Sequence, residues 1–450
     1  MDNVFLRELL RKDNVVQALH KGLLKGIKKR TIRKWMTPRF RKELVARIVM
    51  GEFHITRPWT AEIPKDNGKI DPETGKPECR TVFVNEEDER IFAAIMTMLA
   101  FRMTKGMGYV HASCKSYQSG IGCQHIVQDL SRHIVRSKGR KWDYSKFFDK
   151  VKRERIMEVF DRLERDFGKD MAMDVIREYY WLDEYWDSKR KCVVSGEAAY
   201  KSLKQGFAFA SFLADVIPYE QDERISKLDG YYVRYSDDSI FIGPDYMKAH
   251  EIIRETCEWM GTPLNDDKVE DIHPHRFVKF LGYAIRGKDV SLNAKWVAHF
   301  VEEVCKRTID RKGATYESAL RSLQHWLCVG DGEHSWCTSV LKTINIKADI
   351  NKLNGFCMDA LRAVQLQRGT LSDIGTLGYS AEQKSRCFDK KCKQYFDAGC
   401  ICRATGQFVK SNRERTGDDL AGWYSLGFLR NRLMYGRPVY DSMVRTMMRQ

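Results

Sequence analysis

Two adjacent aspartates interrupt an apolar stretch of this chain, in the segment 231-YYVRYSDDSIFIG-243. The aromatic and β-branched residues on both sides are typical of two strands, and Asp is common in the turn that connects such strands. The pattern therefore predicts a β-hairpin with Asp237 and Asp238 at its tip. This segment alone leaves two interpretations open: a solvated turn without a function, or a pair of carboxylates that a buried hairpin holds in place.

A further aspartate, Asp143, follows an apolar run in the segment 141-KWDYSKFFDKV-151, where we expect a short strand to end. If both strands bring their carboxylates to the same end of one sheet, the three acids form a site for divalent cations. Mg²⁺ prefers oxygen ligands and uses few protein carboxylates, which leaves room for substrate phosphates. Two such ions activate a 3′-hydroxyl and stabilise a leaving pyrophosphate, so the expected chemistry is in-line phosphoryl transfer.

Length, charge and apolar content narrow the class of protein. A chain of 450 residues predicts roughly two to four domains. The formal net charge of +16 favours a polyanionic partner, most commonly nucleic acid, although a basic surface that only confers solubility is an alternative. The first residues lack a secretory signal, and the longest apolar run, 91-IFAAIMTMLAF-101, is too short to span a bilayer. We therefore expect no membrane partner.

The 13 cysteines are scattered, which fits a reducing compartment and predicts a cytoplasmic protein. One group of cysteines near the C-terminus leaves two interpretations, zinc ligation or free thiols. Its spacing is unlike that of usual zinc fingers, which favours free thiols. The members of this group are Cys387, Cys392, Cys400 and Cys402.

Apolar spacing and turn residues predict a mixed order of helices and strands. The basic run KGLLKGIKKRTIRKW is either a solvated helix face or, with Trp35 interleaved, a surface for a phosphate backbone. Residues 61–80 are expected to be a loop, and Asp149 a helix N-cap. The other predicted elements are strands at 81–85 and 139–144, a helix ending near 104, helices at 123–137, 150–190, 207–226 and 246–260, hairpins at 231–242 and 276–286, and helices after 292.

Six segments, in this order, resemble the motifs of bacterial, group II intron-like reverse transcriptases. No single segment is specific, but their order and spacing match the family over roughly residues 70–290. The segments are 76-KPECRTVFV-84 followed by Asp88, 143-DYSKFFD-149, 205-QGFAFASFLAD-215, the Tyr-x-Asp-Asp box Tyr235-Ser236-Asp237-Asp238, 264-LNDDKV-269 and the hairpin 280-FLGY-283.

The resemblance implies an α+β right-hand polymerase, with fingers, a palm that carries an antiparallel sheet, a helical thumb and a helical C-terminal extension. The implied boundaries follow the motifs. They are a basic helical N-terminal extension at 1–60, fingers at 61–138, palm at 139–290, thumb at 291–340 and the extension at 341–450, which includes the basic loop 406-GQFVKSNRERTG-417.

The resemblance also implies roles for the acids and for one lysine. Asp143 and Asp237 would hold two Mg²⁺ ions, with Mn²⁺ as an alternative metal and the Tyr144 carbonyl as a backbone ligand. Asp238 would lie closer to the primer end. Lys268 falls where the family has a lysine that protonates the leaving pyrophosphate, and a solvated surface lysine is the alternative.

Other residues of the motifs would contact the incoming nucleotide. Phe148 would be the bulky gate against the nucleotide 2′-hydroxyl. Gln205 and Gly206 would pack on the nucleotide and the template base. Arg80 would clamp the triphosphate, which suits a planar guanidinium, whereas Lys76 is either a second phosphate contact or a loop lysine. The primer grip would be Phe280, Leu281, Gly282 and Tyr283.

The implied activity is RNA-directed DNA polymerisation, with an RNA template, a DNA primer or product and dNTPs as partners. Asp215 replaces the usual Asn of its motif, and Ser236 replaces the more common Ala of the box. Enzymes of diversity-generating retroelements usually have a branched aliphatic residue at the position of Gln205, so this glutamine makes that alternative less favoured. A free-standing enzyme with a helical extension instead resembles the defence-associated, abortive-infection lineage, in which the template is often a non-coding RNA. Template-independent or protein-primed synthesis and oligomerisation through C-terminal helices are further alternatives.

Overall fold

The computed structural model describes residues 2–65, 75, 77–118, 120–135, 137–144, 146–264, 266–330, 335–365, 420 and 423–435. Their contacts divide the chain into two compact units. Met1–Ile121 and Gly139–Asp271 form the first unit, and Gly122–Lys138 and Ile272–Gln450 form the second. Lys76, the four candidate zinc ligands and the basic loop at 406–417 lie outside the described residues.

Helices account for much of both units. In chain order they are α1 (Val4–Glu8), α2 (Lys12–His20), α3 (Lys29–Met36), α4 (Pro38–Val49), α5 (Glu87–Met103), α6 (Cys123–His133), α7 (Phe147–Lys150), α8 (Arg153–Phe167), α9 (Met171–Tyr179), α10 (Ala210–Val216), α11 (Tyr219–Ile225), α12 (Tyr246–Met260), α13 (Ala294–Arg307), α14 (Tyr316–Gln324), α15 (Lys347–Gln365) and α16 (Leu426–Met434).

The strands of the described residues form sheets in the orders β2-β1-β4-β5, β6-β7-β3-β8 and β11-β10-β9. We call the first the β1 sheet and the second the β7 sheet. The strands are β1 (Trp59–Pro64), β2 (Cys79–Val84), β3 (Gly139–Asp143), β4 (Glu184–Asp187), β5 (Cys192–Ser195), β6 (Tyr231–Tyr235), β7 (Asp238–Ile242), β8 (Glu270–Ile272), β9 (Val278–Phe280), β10 (Tyr283–Arg286) and β11 (Asp289–Leu292).

The β7 sheet lies at the centre of the first unit. Its strand β7 pairs antiparallel with β6 on one side and with β3 on the other. Ile240 and Phe241, successive residues of β7, are both fully buried, so both faces of this strand are covered. Helix α12 packs against β3 and β7, and the Trp142 indole N–H donates to His250 Nδ1 at 2.9 Å. The apolar runs around Asp143 and the Asp237–Asp238 pair are therefore core strands.

The β1 sheet differs from the prediction. Residues 59–64 form β1, although 61–80 were expected to be a loop, and the predicted helical stretch 150–190 ends in the strand β4. Strand β4 pairs with β1 in parallel and with β5 antiparallel. Strands of four residues carry too few side chains for a period of two to be distinguished from helical spacing, so the sequence pattern missed β4 and β5.

The N-terminal helices pack on α5, which is buried along most of its length. The apolar run 91–101 is therefore a core helix, as its short length suggested. Trp35 is fully buried, and its indole N–H donates to Asp88 Oδ1 at 2.8 Å. The Trp35 side chain therefore belongs to the core, and the basic run as a surface for a phosphate backbone stays a prediction. Of the helices in the described ranges, none combines the length and apolar character that a bilayer crossing requires.

The second unit contains the FLGY hairpin and helices. Leu281 and Gly282 connect β9 to β10 with φ angles of 48° and 88°, as in a type I′ turn. A Cβ on Gly282 would lie 2.2 Å from Trp296 Nε1, so any other residue would displace the Trp296 ring and also be strained at this φ. After β11, the described residues are helical or turn, as expected.

Antiparallel sheets and many helices confirm the predicted α+β class. The predicted helix at 207–226 is two helices, α10 and α11, because Pro218 lies between them and cannot donate a helical hydrogen bond. Asp149 is also not an N-cap: Lys146 occupies that position, and Asp149 lies in the first turn of α7. A carboxylate in this turn still faces the positive end of the helix dipole.

Candidate active site

The turn of the β6–β7 hairpin places the two adjacent aspartates. Tyr235 pairs with Asp238, which leaves Ser236 and Asp237 as a two-residue turn. Ser236 has a φ of 56°, a region that glycine usually occupies in such turns. A serine in this conformation must be held by its surroundings, which fixes the direction of the neighbouring Asp237.

The third carboxylate lies directly across the sheet. Asp143 is the last residue of β3 and pairs with Asp238, so both side chains project from the same face. The Tyr144 N–H donates to the Asp237 carbonyl at 3.3 Å, which ties the end of β3 to the hairpin turn. Asp143, Asp237 and Asp238 therefore meet at one end of the β7 sheet, as the sequence predicted for two strands of one sheet.

The three carboxylates repel one another. Burial raises the pKa of Asp237 above its usual value, and the charge of Asp143 adds to the increase. Burial raises the pKa of Asp238 to about 7, with further increases from Asp237 and Asp143. Lys268 Nζ contacts Asp143 Oδ2 at 2.5 Å, which is the direct ion pair of the cluster. The positive charges of Lys268, Lys141 and Arg80 therefore do not offset the effect of burial and repulsion on the two pKa values.

A divalent cation fits this charge and this set of donors. Carboxylate oxygens are the ligands that Mg²⁺ prefers. An ion with a charge of +2 would relieve the repulsion that helps to raise the pKa values of Asp237 and Asp238. Within the described residues, no three acidic, His or Cys side chains already close around one metal position. The three carboxylates would be the residues to hold such an ion, and one oxygen of Asp143 is in contact with Lys268 in this structure.

A buried arginine holds the β6–β7 hairpin through hydrogen bonds to its turn. Arg234 is fully buried and makes hydrogen bonds to both carboxylate oxygens of Asp222, at 2.8 to 3.0 Å. Its guanidinium also donates to the carbonyls of Ala214, Asp215 and Ser236, at 2.9 to 3.1 Å. Arg234 thus fixes the backbone of the turn that carries Asp237. The sequence analysis missed this role, although an arginine inside an apolar strand was a signal for it.

Asp215, which replaces the usual Asn of its motif, also belongs to the hydrogen-bond network that holds the β6–β7 turn. The Ser116 hydroxyl donates to Asp215 Oδ1, and the Ser236 N–H donates to Ser116 Oγ at 2.9 Å. Burial raises the pKa of Asp215 to about 6, against the opposing charge of Arg234. Asp215 Oδ2 is buried without a hydrogen-bond partner among the described residues. Ser116, which no motif contains, therefore links Asp215 to the turn that carries Asp237.

The QG segment lies along the free edge of β2. The Phe83 N–H donates to the Gln205 carbonyl at 2.7 Å, and Gly206 has a φ of 103°. A Cβ on Gly206 would lie 2.8 Å from the Phe83 carbonyl oxygen, so this close approach requires glycine. Arg80 is exposed on the same strand, and its positive charge slightly opposes the increase in the pKa of Asp237 that burial causes. Gln205, Gly206 and Arg80 are thus on one strand edge beside the carboxylates.

Lys204 anchors the QG segment and was missed by the sequence analysis. It is buried, and its ammonium donates to the Tyr179 and Leu182 carbonyls at 2.5 and 2.7 Å. Burial lowers the pKa of Lys204 to about 7. Its φ of 52° directs the chain into Gln205. A single lysine next to a motif has no sequence signal that distinguishes it from a surface lysine.

The two phenylalanines that follow Asp143 differ in burial: one lies inside the hydrophobic core and the other at its edge. Phe147 is 2% exposed and belongs to the core, whereas Phe148 is partly buried at the edge of that core. The Phe148 carbonyl accepts from the Leu203 N–H at 3.0 Å, which brings it next to the QG segment. The Tyr144 ring is buried and its hydroxyl donates to Gln221, so only the backbone of Tyr144 is available at the carboxylates.

The FLGY residues belong to the second unit. Phe280 and Tyr283 are buried there, and the Tyr283 hydroxyl donates to the Ser339 carbonyl at 3.4 Å. Leu281 and Gly282 are partly exposed at the turn. These residues form the hairpin that the sequence predicted, and their contact with a primer stays a prediction.

Comparison with solved structures gives distant similarities. The chain is similar to apo telomerase from Candida tropicalis truncated from its C-terminal domain, with 14% identity and a TM-score of 0.40 over 53% of this chain and 55% of that chain. It is also similar to telomerase from Candida albicans in complex with a TWJ fragment of telomeric RNA, with 12% identity and a TM-score of 0.43 over 92% and 68% of the two chains. It is similar as well to apo telomerase from Candida tropicalis, with 14% identity and a TM-score of 0.41 over 80% of this chain and 62% of that chain.

Comparison with protein families gives a direct match. A search among curated protein sequences finds no significant match. Residues 78–285 match the family described as reverse transcriptase (RNA-dependent DNA polymerase). This range includes the β7 sheet, the three carboxylates, Arg80 and the QG segment. Residues 78–285 are therefore a reverse transcriptase domain, and this domain indicates RNA-directed DNA polymerase activity.

Proposed function

We propose that the whole chain synthesises DNA on an RNA template and that Asp143, Asp237 and Asp238 hold the two Mg²⁺ ions of the reaction. The observation that carries this proposal is the meeting of the three carboxylates at one end of the β7 sheet, inside the reverse transcriptase domain. Their mutual repulsion favours divalent cations as the missing counter-charge.

In this proposal, Asp143 and Asp237 ligate both ions together with the Tyr144 carbonyl, and Asp238 lies closer to the primer end. The bound ions, Mg²⁺ or Mn²⁺, supply activation of the primer 3′-hydroxyl and neutralisation of the charge on the phosphates. Lys268 now contacts Asp143. It would leave this contact when the nucleotide binds and donate a proton to the departing pyrophosphate.

The nucleotide would bind between β2 and the QG segment. Arg80 is exposed there and would clamp the triphosphate, because a guanidinium can donate two parallel hydrogen bonds to phosphate oxygens. Gln205 and Gly206 would pack against the base and the template. Phe148 would exclude a 2′-hydroxyl, and its position next to Leu203 supports this role. Lys76 stays a predicted phosphate contact.

We further propose that the template is a structured non-coding RNA and that the enzyme acts in antiphage defence, in the lineage of group II intron-like and abortive-infection enzymes. The motif residues support this assignment, together with the long extension after the predicted thumb and the net charge of +16. Phe280, Leu281, Gly282 and Tyr283 would support the primer, and the predicted fingers, palm and thumb boundaries are part of this proposal.

Primer extension tests the proposed activity. Purified full-length protein with a primed RNA template, Mg²⁺ and dNTPs should extend the primer, and NTPs should be poor substrates. The double variant Asp237→Ala/Asp238→Ala should lose at least about 10²-fold in rate, the order expected when charge stabilisation is removed. Glu251→Ala/Glu258→Ala, which removes two exposed acids of α12 outside the motifs, is the matched control and should retain activity. Undiminished synthesis by the first variant would reject the assignment.

The identity of the template needs a separate measurement. RNA that copurifies with the protein, and DNA that accumulates with it in cells, should be sequenced together. A DNA copy of one bound RNA is the expected result. A homopolymer or a sequence without any RNA counterpart would instead support template-independent synthesis, and scattered adenine substitutions would support the diversity-generating alternative.

A further inference from the structure

The first residue of the β6–β7 turn is held by hydrogen bonds on both sides of its backbone. Ser236 has a φ of 56°, a conformation that is unfavourable for a residue with a Cβ. Its N–H donates to Ser116 Oγ at 2.9 Å, and its carbonyl accepts from Arg234 at 3.1 Å. The Ser236 carbonyl and the Asp237 N–H share one planar peptide group, so these bonds restrict the directions in which the Asp237 side chain can project.

Ser116 approaches this turn along β6. The Arg234 N–H donates to the Ser113 carbonyl at 3.0 Å, and the Lys115 N–H donates to the Arg234 carbonyl at 2.9 Å. This pairing is parallel, so Ser116 follows at the end of β6 where the turn begins. Ser116 is fully buried there. The backbone pairing of the segment 113–115 therefore places the Ser116 hydroxyl beside the turn.

The Ser116 hydroxyl has one hydrogen, and its direction decides from which neighbour the oxygen can accept. Because Oγ accepts from the Ser236 N–H, the hydroxyl hydrogen must point elsewhere, and it is donated to Asp215 Oδ1. Burial raises the pKa of Asp215 to about 6, so at pH 8 this side chain is a carboxylate that can only accept. We call this series, from the Ser236 N–H through the Ser116 hydroxyl to Asp215, the hydrogen-bond chain.

Asp215 has a fixed position that does not depend on Ser116. It lies in α10 and is fully buried, and its backbone carbonyl accepts from Arg234 at 2.9 Å. The same guanidinium donates to the Ser236 carbonyl. The hydrogen-bond chain and the bond to the Ser236 carbonyl are therefore anchored on one arginine, which makes the two supports of the turn mutually consistent.

We propose that Ser116 and Asp215 are positioning residues of the reaction: the hydrogen-bond chain holds the Ser236 N–H and thereby orients the Asp237 carboxylate toward the cations. This inference rests on the proposed polymerase function. The role requires an accepting oxygen at Asp215 but not a charge, because the Ser116 hydroxyl needs only an acceptor.

The competing explanation gives Asp215 a part in charge balance alone. The charged groups that act on it are Arg234 and Asp222. Asp222 already pairs with Arg234 at 2.8 Å, with both side chains fully buried. The guanidinium therefore has a counter-charge without Asp215, which favours the role of Asp215 as an acceptor for Ser116.

Binding of Mn²⁺ to the full-length protein, without primer or nucleotide, tests the orientation of Asp237 independently of catalysis. Mn²⁺ prefers the same oxygen ligands as Mg²⁺, and electron paramagnetic resonance at pH 8 measures the free ion. Ser116→Ala should weaken the affinity about tenfold, the lower end of the effect of residues that orient metal ligands. Thermal melting verifies that the variant is folded at the temperature of the titration. An affinity equal to that of the wild type would overturn the proposal.

Two substitutions of Asp215 separate its accepting oxygen from its charge. Asp215→Asn keeps Oδ1 and should bind Mn²⁺ within about twofold of the wild type, whereas Asp215→Leu has no acceptor and should lose about tenfold. Ser116→Ala/Asp215→Leu should lose no more than either single variant, since both substitutions break the same chain. Equal losses in Asp215→Asn and Asp215→Leu would assign Asp215 to charge balance and reject the positioning role.

Ser239→Ala is the matched control. Ser239 is fully buried on β7, and its hydroxyl has no hydrogen-bond partner among the described residues. The substitution therefore removes a buried hydroxyl from the same sheet without breaking the hydrogen-bond chain, and it should leave Mn²⁺ binding unchanged. Equal losses in Ser239→Ala and Ser116→Ala would mean that general loosening of the β7 sheet causes both, which contradicts the proposal.

Primer extension distinguishes an effect on Asp237 from a loss of substrate binding. Ser116→Ala should lower kcat about tenfold and leave the KM for the primer–template duplex unchanged, because a fully buried serine cannot contact the duplex. A raised KM with an unchanged kcat would contradict the positioning role.

Failure of this proposal and failure of the proposed function give different results. A wild-type protein that binds Mn²⁺ and extends primers, with a Ser116→Ala variant that does both equally well, would reject the positioning role alone. A wild-type protein that extends no primer, while Ser116→Ala still weakens Mn²⁺ binding, would reject the function and support the role of the hydrogen-bond chain. A wild-type protein that binds no Mn²⁺ would overturn both.

Discussion

Asp143, Asp237 and Asp238 illustrate a conflict between stability and function at the scale of single residues. Burial and mutual repulsion raise the pKa values of Asp237 and Asp238, and Lys268 pairs directly with Asp143. A fold that only needed stability would place neutral side chains at this end of the sheet. The proposed binding of cations would account for carboxylates at this position, and the raised pKa values mean that the metal-free protein is less stable when they are ionised.

We predict that Asp238→Asn stabilises the metal-free protein by about 1 kcal/mol at pH 8, a value discounted for the partial exposure of the side chain. The folded-state pKa of about 7 lies above 3.8, the ordinary pKa of an aspartate in water. Deprotonation thus opposes folding increasingly as the pH rises from about 4 to above 7. The gain should accordingly be small near pH 4 and complete at pH 8. Denaturant unfolding in EDTA at both pH values measures it.

Asp245 supplies the control for this experiment. It is partly exposed beyond the end of β7, and hydrogen bonds from Lys248 and from the Asp229 N–H lower its pKa. Asp245→Asn should therefore produce no stabilisation at either pH. Equal responses of Asp238→Asn and Asp245→Asn would show that the carboxylate cluster carries no strain of the kind described.

At the scale of elements, the sequence predicted those helices and strands whose apolar pattern is long or is delimited by turn residues. The β6–β7 hairpin and the helix α12 at 246–260 are as expected, because apolar runs and turn residues delimit them. Strands β4 and β5 were missed because each has four residues and pairs with distant segments. The three carboxylates were predictable from motifs. Arg234, Ser116 and Lys204 were not, because their roles arise from burial and long-range contacts.

The hairpin depends on Arg234, and this dependence can be measured. We predict that Arg234→Lys lowers the free energy of unfolding by at least about 2 kcal/mol, because an ammonium cannot satisfy Asp222 and the three buried carbonyls at once. Primer extension by the folded variant should also slow, since the Ser236 carbonyl loses the donor that fixes the catalytic turn. Chemical denaturation and extension at low temperature measure the two effects.

The matched control for Arg234 is another arginine that pairs with a carboxylate at the surface. Arg224 contacts Glu255 at 2.6 Å, with the two side chains 39% and 62% exposed. Arg224→Lys should change the free energy of unfolding by less than about 0.5 kcal/mol, as is usual for exposed pairs. A loss of similar size in both variants would mean that Arg234 is an ordinary ion pair without a positioning role.

At the scale of the whole molecule, the net charge of +16 is the property that no single motif explains. Charge of this size acts over the surface and favours a polyanion before any specific contact forms. The motif residues account for only a few of the basic side chains. The remaining excess therefore fits a long nucleic acid duplex that is bound mainly through phosphates, without sequence preference.

We predict that the affinity for a primer–template duplex falls steeply with salt. Six to ten neutralised phosphates would reduce the association constant by about 10³ to 10⁵ between 50 and 200 mM salt, because each contact releases condensed counterions. Fluorescence anisotropy titrations at four salt concentrations give the slope, and thermal melting at the same concentrations verifies that the protein stays folded. RNA–DNA and DNA–DNA duplexes should give nearly equal slopes, since the slope depends on the number of phosphates contacted and both duplexes have two phosphate backbones. A change of less than about tenfold over this range would mean that the shape of a structured RNA, and not charge, dominates binding.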